Sequence, residues 1–205
     1  MAKQRKVGGC VSQSSLENVF NEMFAAIDVC LKTNIKMPAL LLAYTLIDIS
    51  GWLNSDEKWV KVRFTDWVEK YMLPNSTLQC SSLELYAARC GLLHNYSATS
   101  DLSSAEVRRI FYAWRPSRVE DLAGVIELNK QMMARLGKDT EQILALQADD
   151  ILSALQTGAD KFLSDIANDP QRAARAYAKA ENMMVENQEA DIQSLIAAAK
   201  KVLAD

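Results

Sequence analysis

Three Ser-x-x-Glu boxes, Ser14/Glu17, Ser81/Glu84 and Ser103/Glu106, punctuate the first 106 residues of this 205-residue chain. In such a box the serine oxygen accepts from the backbone N–H three residues on, and the glutamate reaches back to the serine N–H, so each box marks a helix start. Behind the first, Leu16, Val19, Phe20, Met23, Phe24, Ile27, Cys30 and Leu31 recur at helical spacing, which predicts an amphipathic helix to about Lys36. Seven glycines and four prolines are few for a strand-and-turn architecture of this length, and alanine, leucine, glutamate and methionine are plentiful. The expected fold class is mainly α.

Pro38 suits the first turn of a second helix, Ala39 to about Trp52, which is apolar almost all round and is expected at the centre. A third runs from about Lys58 to Met72 with Val60, Phe64, Trp67, Val68 and Tyr71 on one face, and Pro74-Asn75 ends it. Helical spacing assigns most of the Trp52, Trp59, Phe64, Trp67 and Tyr71 set to the core. Ser81 opens the fourth helix, and the Ser103 box a short element through Arg108–Trp114. Its aromatic content fits helix or strand at 107–114; as a strand it pairs with Gln142–Gln147 in a small two-stranded β element.

The best boundary is Arg115-Pro116-Ser117-Arg118. Helices follow at about 119–136, 149–167, 170–186 and 188–203, the last expected to bury Ile192, Leu195, Ile196, Ala199, Val202 and Leu203. The organisation expected is a disordered lead at 1–13, a helical bundle at 14–115, and a helical C-terminal extension at 116–205 that packs on the bundle or mediates interactions. Net charge is +3 through Arg118 and −6 beyond it, so the extension is acidic. That asymmetry permits a polyanion near the basic half, and fits ordinary solvated surfaces equally well.

Cys10, Cys30, Cys80 and Cys90 form no C-x-x-C pair, and a single histidine leaves no zinc spacing, so reduced thiols, no metal and no cofactor are expected. The start of the chain has no signal-peptide core, and the longest apolar run, Ala39–Ile47, closes at Asp48, too short for a bilayer. A cytoplasmic protein without a membrane partner is the expectation. No phosphate-binding glycine loop or nucleophile elbow suggests another enzyme.

The chemistry-bearing segment is Arg89-Cys-Gly-Leu-Leu-His94-Asn95-Tyr96. Histidine titrates near neutral pH, while arginine stays charged and grips phosphate oxygens in a fork. Five residues on a helix mean about 140° of rotation and 7.5 Å of rise, so Arg89 and His94 flank a groove that the arginine's length can close. Gly91 between them invites a close neighbour. A plainer reading has His94 capping a helix end, Arg89 paired with Glu84 or another acid, Asn95 as a left-handed helix stop, and Tyr96 packing. Arg108, Arg109 and Tyr112, with Phe111 and Trp114, are candidates for touching RNA.

Arg89-x4-His94-x-Tyr96, late in a helix preceded by three others, resembles the signature of the HEPN superfamily over roughly residues 14–115. The resemblance implies a compact helical bundle and metal-independent RNA cleavage by a toxin or defence-type protein. Arg89 would be the phosphate clamp and His94 the acid and base, with two motifs facing across a homodimer cleft. The Arg-x4-His-x-Tyr form further implies a nucleotidyltransferase antitoxin as a protein partner that modifies Tyr96. Cys90 stands where many members carry asparagine or aspartate. A catalytically silent interaction module of the same fold is the alternative.

Overall fold

The computed structural model describes residues 13–74, 76–98, 100–102, 106–137, 142–180, 183, 193, 196, 197 and 199–201. Of the lead expected at 1–13, residues 1–12 lie outside the described residues while Gln13 is already helical; the serine of the Ser103 box, Ile192, Leu195, Val202 and Leu203 also lie outside them. The fold is mainly helical with one small parallel sheet.

Helix α1 (Gln13–Lys32) packs Leu16, Phe20 and Ile27 onto α2 (Lys36–Asn54). It stops four residues earlier than its apolar spacing suggests. Asn34 turns left-handed at φ 60°, so the Ile35 N–H reaches Cys30 O at 2.7 Å and the Asn34 N–H reaches Leu31 O at 3.0 Å. These bonds close the orphan carbonyls of the last turn in a Schellman motif, a role asparagine tolerates.

Helix α2 is the hub. It touches α1, α3, α4, α6 and α7, and buries Ala39, Leu40, Ala43, Tyr44, Leu46, Ile47 and Leu53. At Gly51 it meets α3 (Val60–Trp67) so closely that a Cβ would stand 2.7 Å from the Arg63 carbonyl oxygen. Beyond Trp67 the helix widens into a π turn, Val68–Met72, which carries Val68, Tyr71 and Met72 into the core. Helix α6 (Ala148–Ala167) lies against this turn at Gly158, where a Cβ would be 3.0 Å from Tyr71 O. The rings of Trp67, Tyr71 and Phe162 interlock there edge to face or tilted, with centroids 5.4–6.1 Å apart. Phe64, Trp67 and Tyr71 are thus core, whereas Trp59 is 74% exposed, since α3 starts two residues later than the expected Lys58 and Trp59 is its N-cap residue.

Helix α4 (Ser82–Asn95) opens with the expected capping box: the Glu84 N–H donates to Ser81 Oγ at 3.1 Å and the Ser81 N–H to Glu84 Oε2 at 2.8 Å. The 107–114 segment is a strand. β1 (Arg109–Ala113) pairs in parallel with β2 (Ile143–Gln147), Arg109 opposite Ile143 and Ala113 opposite Gln147. Parallel strands need a crossover, and α5 (Val119–Arg135) supplies it. The Arg115–Arg118 segment, with a cis Arg115–Pro116 peptide, begins that crossover. Residues beyond it join the same apolar cluster through Leu146, Ile151, Leu155, Phe162 and Ala176.

Helix α7 (Pro170–Ala180) is capped by Asp169, whose Oδ1 accepts the Gln171 and Arg172 N–H groups at 3.0 and 3.1 Å. It ends before the expected residue 186, since Met183 lies in a bend and its N–H donates to Ala180 O at 2.9 Å. The last turn of α2 has no basic residue of its own, and α7 provides the cations. Arg175 donates to Asn54 O at 3.1 Å, Lys179 to Trp52 O at 2.8 Å and also to Ser55 O, where the helix dipole favours positive charge. Ile196 and Ala199, expected to be buried, are exposed; a helix-period pattern selects a face without naming what covers it, and this core is already filled by α1, α2, α6 and α7.

Gly51→Ala forces a methyl group into the Arg63 carbonyl and is expected to destabilise the protein by about 1–3 kcal/mol. Urea unfolding of Gly51→Ala beside Gly124→Ala, whose Cβ would meet nothing within 4 Å, checks this; the second variant is expected to lose no stability.

Candidate functional site

The one charged residue within the apolar body of α2, Asp48, sets the polar cluster. Its position is one turn before Gly51, so the tight α2–α3 crossing brings the Arg63 guanidinium within electrostatic reach of its carboxylate. From α4, Arg89 donates through Nε to Asp48 Oδ2 at 2.8 Å, and its Nη2 lies 2.7 Å from the same oxygen. The Arg89 side chain is only 15% exposed. Asp48 Oδ1 is buried with no hydrogen-bond partner among the described residues.

Arg89 has one edge left, and it faces the histidine. Nη1 stands 3.5 Å from His94 Nε2 and 3.9 Å from Cys90 Sγ, so the guanidinium spans the five-residue offset. The Tyr86 ring lies beneath the guanidinium, 5.8 Å from centroid to Cζ. His94 itself is exposed. Of the acids the plainer reading allowed, Arg89 pairs with Asp48, while Glu84 is held by Arg108.

Burial raises the Asp48 carboxyl above its ordinary range, against the opposing pull of Arg89, Arg63 and His94. Burial is the largest influence on Arg89 and works against its charge, but the hydrogen bond and charge of Asp48 together with Cys90 outweigh it and hold the guanidinium above its ordinary value. The two directions look opposed for one ion pair. The orphaned Oδ1 explains them, since a desolvated oxygen without a donor weakens the carboxylate and leaves the arginine charged.

The end of α4 differs from expectation. Asn95 is the last helical residue and is exposed, while Tyr96 takes the left-handed position at φ 50°, ψ 40°. With the reversal there, the Tyr96 N–H reaches Leu92 O and the Ser97 N–H reaches Gly91 O, both at 3.1 Å. A left-handed tyrosine costs roughly 1–2 kcal/mol where glycine would cost nothing. Its side chain is 58% exposed, so the ring does not pack in the core. Gly91 is buried within the chain and offers no surface to a second molecule.

The three RNA-contact candidates are not gathered at the Arg89/His94 edge. Arg108 is bound to Glu84 through Nε at 2.5 Å and Nη2 at 3.1 Å, and donates to Gln79 O at 3.1 Å. Burial alone would raise the Glu84 carboxyl, yet Arg108 and the Ser81 N–H outweigh it and lower it. Tyr112 is hydrogen bonded to the Tyr44 hydroxyl at 2.7 Å, and burial pushes both phenols up. Arg109 lies over the Phe111 ring at 5.0 Å. For the two candidates within β1, strand alternation is the cause: it turns Ile110 and Tyr112 toward the bundle and leaves Arg109 and Phe111 on the other face. The site residues that sequence reasoning missed are Asp48 and Arg63. A lone carboxylate closing an apolar helical run was the available signal for Asp48; Arg63 had none.

A largely apolar cavity of about 250 Å³ lies along the other flank of α4, lined by Met37, Ala88, Leu92, Ile110, Trp114 and Leu122 among others, with neither Arg89 nor His94 in its wall. Burial and the Glu84 charge push the nearby Cys80 thiol up to about 12, so it stays protonated at neutral pH. Among the described residues no three His, Cys, Asp or Glu side chains converge as metal ligands, and no helix is long and apolar enough to cross a membrane.

Arg108→Ala leaves the buried Glu84 carboxylate with only its cap and the backbone N–H of residue 108, and is expected to cost about 1.5–3 kcal/mol. Because Glu84 is lowered in the fold, its contribution is present above the ordinary glutamate value of 4.5 and disappears as pH falls through the folded value. Unfolding curves from pH 6 to pH 3 are expected to show Glu84→Gln less stable than the parent at pH 6, and the gap narrowing on acidification. A constant gap refutes the assignment.

No protein-family model, curated protein or solved structure matches this chain.

Proposed function

We propose that this protein is a metal-independent endoribonuclease of HEPN type, a toxin or defence-type enzyme. One observation carries the reading: an exposed imidazole stands 3.5 Å from Nη1 of a guanidinium whose Nε and Nη2 are held by a half-buried carboxylate. Asp48 orients Arg89, and Arg63 adds positive field from α3. A phosphodiester bound at Arg89 Nη1 takes the N–H that otherwise points at His94 Nε2, which frees that nitrogen to act.

Cleavage requires a proton taken from the ribose 2′-hydroxyl, negative charge held on the phosphorane, and a proton given to the leaving 5′-oxygen. His94 takes the first proton and Arg89 holds the charge. One imidazole cannot fill both proton roles at once, so His94 of a second copy delivers the other proton across a homodimer cleft. The products are a 2′,3′-cyclic phosphate and a free 5′-hydroxyl. Tyr96, exposed two residues beyond His94, is accessible to a nucleotidyltransferase partner. A nucleotide attached to its hydroxyl sets an anion beside the phosphate site and repels RNA.

A second reading, a catalytically silent helical interaction module, is favoured by the neutralising contact of Arg89 with Asp48 and by apolar residues exposed along α5.

Incubation with single-stranded RNA in excess chelator is expected to give fragments ending in 2′,3′-cyclic phosphate. His94→Ala and Arg89→Ala are each expected to lower the rate by about 10² to 10⁴ with unchanged circular dichroism. Asp48→Asn is expected to lower it less, since the guanidinium remains but is no longer oriented. Tyr96→Phe is expected to cleave like the parent. Absent cleavage, or cleavage indifferent to His94→Ala, leaves the silent module as the reading.

A further inference from the structure

Helix α5 has no buried residue, although leucine, isoleucine, valine and methionine recur along it. Leu122, Ile126 and Met133 are half-buried toward the sheet. A second face is open to solvent and consists of Asp121, Gly124, Val125, Leu128, Gln131, Met132 and Arg135. These positions repeat in the 3-1-3-3-1-3 pattern of a helix-pairing seam. Val125, Leu128 and Met132 are 63%, 67% and 52% exposed.

That face is self-complementary about Leu128. Counting outward by equal steps, Asp121 corresponds to Arg135, Gly124 to Met132 and Val125 to Gln131. Placed antiparallel on a copy of itself, the helix sets acid opposite base and its smallest residue opposite a long flexible one. At Gly124 a Cβ would meet nothing within 4 Å, so the space for a methionine is open. Neither Asp121 nor Arg135 forms an ion pair among the described residues. They are 14 residues apart on one helix, a rise of about 21 Å, so they cannot pair with each other within one chain. Antiparallel packing also aligns each helix dipole with the opposite end of its neighbour.

We infer that α5 is a homodimer surface, on which a second copy of this chain packs its own α5 antiparallel across a two-fold axis at Leu128. Asp121 of each copy pairs with Arg135 of the other, and Met132 of each covers Gly124 of the other. The inference does not rest on the ribonuclease reading, since none of these residues belongs to the Asp48–Arg63–Arg89–His94 cluster. A single pair of 17-residue helices is a small interface, so a dimer that dissociates on dilution in the micromolar range is expected.

Sedimentation equilibrium of the full chain across about 1–300 μM tests it, over the range a small interface implies. The parent is expected to dimerise and Leu128→Asp, which brings two carboxylates together on the axis, to remain monomeric with unchanged circular dichroism. Asp121→Arg and Arg135→Asp are each expected to weaken the dimer about tenfold, and the double variant to restore it. Because the two positions cannot meet within one chain, recovery in the double variant requires the antiparallel register. A parent monomeric at the highest concentration, a dimer that survives Leu128→Asp, or a double variant weaker than both singles overturns the inference. RNA cleavage is measured separately, so its loss in His94→Ala does not bear on this result.

Discussion

Two close helix crossings, one with no room for a methyl group and one with little, hold this bundle in register. At Gly51 the backbone of α2 meets that of α3, and at Gly158 the backbone of α6 meets the π turn that continues α3. Helices usually keep 8–10 Å apart because side chains stand between them, and glycine removes that spacer. The order α2–α3–α6 follows, and with it the aromatic cluster of Trp67, Tyr71 and Phe162. The polar cluster depends on the same crossing, since Arg63 belongs to the contact at Gly51 and Asp48 lies one turn away.

Charge is matched across long sequence distances. Asp48 is met by Arg89, Glu84 by Arg108, and the carboxyl end of α2 by Arg175 and Lys179. Glu84 and Asp48 respond to acid with opposite sign. Glu84 is lowered in the fold, so its stabilisation belongs to the range above its unfolded value. Asp48 is raised, so its contribution is full below the ordinary aspartate value of 3.8 and is lost as pH rises through the folded value. The Glu84 pair secures the start of α4, whereas the Asp48 pair holds an arginine where its remaining edge faces an exposed histidine. A carboxylate kept without a donor on one oxygen is unfavourable for stability, which is what a group retained to orient its neighbour would show.

Much of the helical framework was legible in local signals. The Ser81 box, Pro38, Asp169-Pro170, the apolar spacing of α1 and α3 and the apolar run of α2 act within a turn or two, so they can be read without knowing what packs on them. The misses share a cause. Helix α1 ends with a left-handed Asn34, short of the expected Lys36, and the left-handed stop of α4 falls at Tyr96, one residue past Asn95, because which carbonyls the returning N–H groups can reach decides the terminus. The 107–114 segment was ambiguous because its choice of strand depended on a partner some 30 residues on.

By itself the sequence determined that the chain is mainly helical, where most helices begin, which faces are apolar, and that Arg89 and His94 share one helix within an arginine's reach. Those properties follow from backbone hydrogen bonding and a 3.6-residue period, both local. Only the tertiary structure decided that Asp48 and Arg63 join them, that Arg108 is held by Glu84 and Tyr112 by Tyr44, and that Trp59, Leu128 and Ile196 stand in solvent. The reason is that burial and ion pairing depend on which surfaces meet, and helical periodicity is the same whether or not a face is covered.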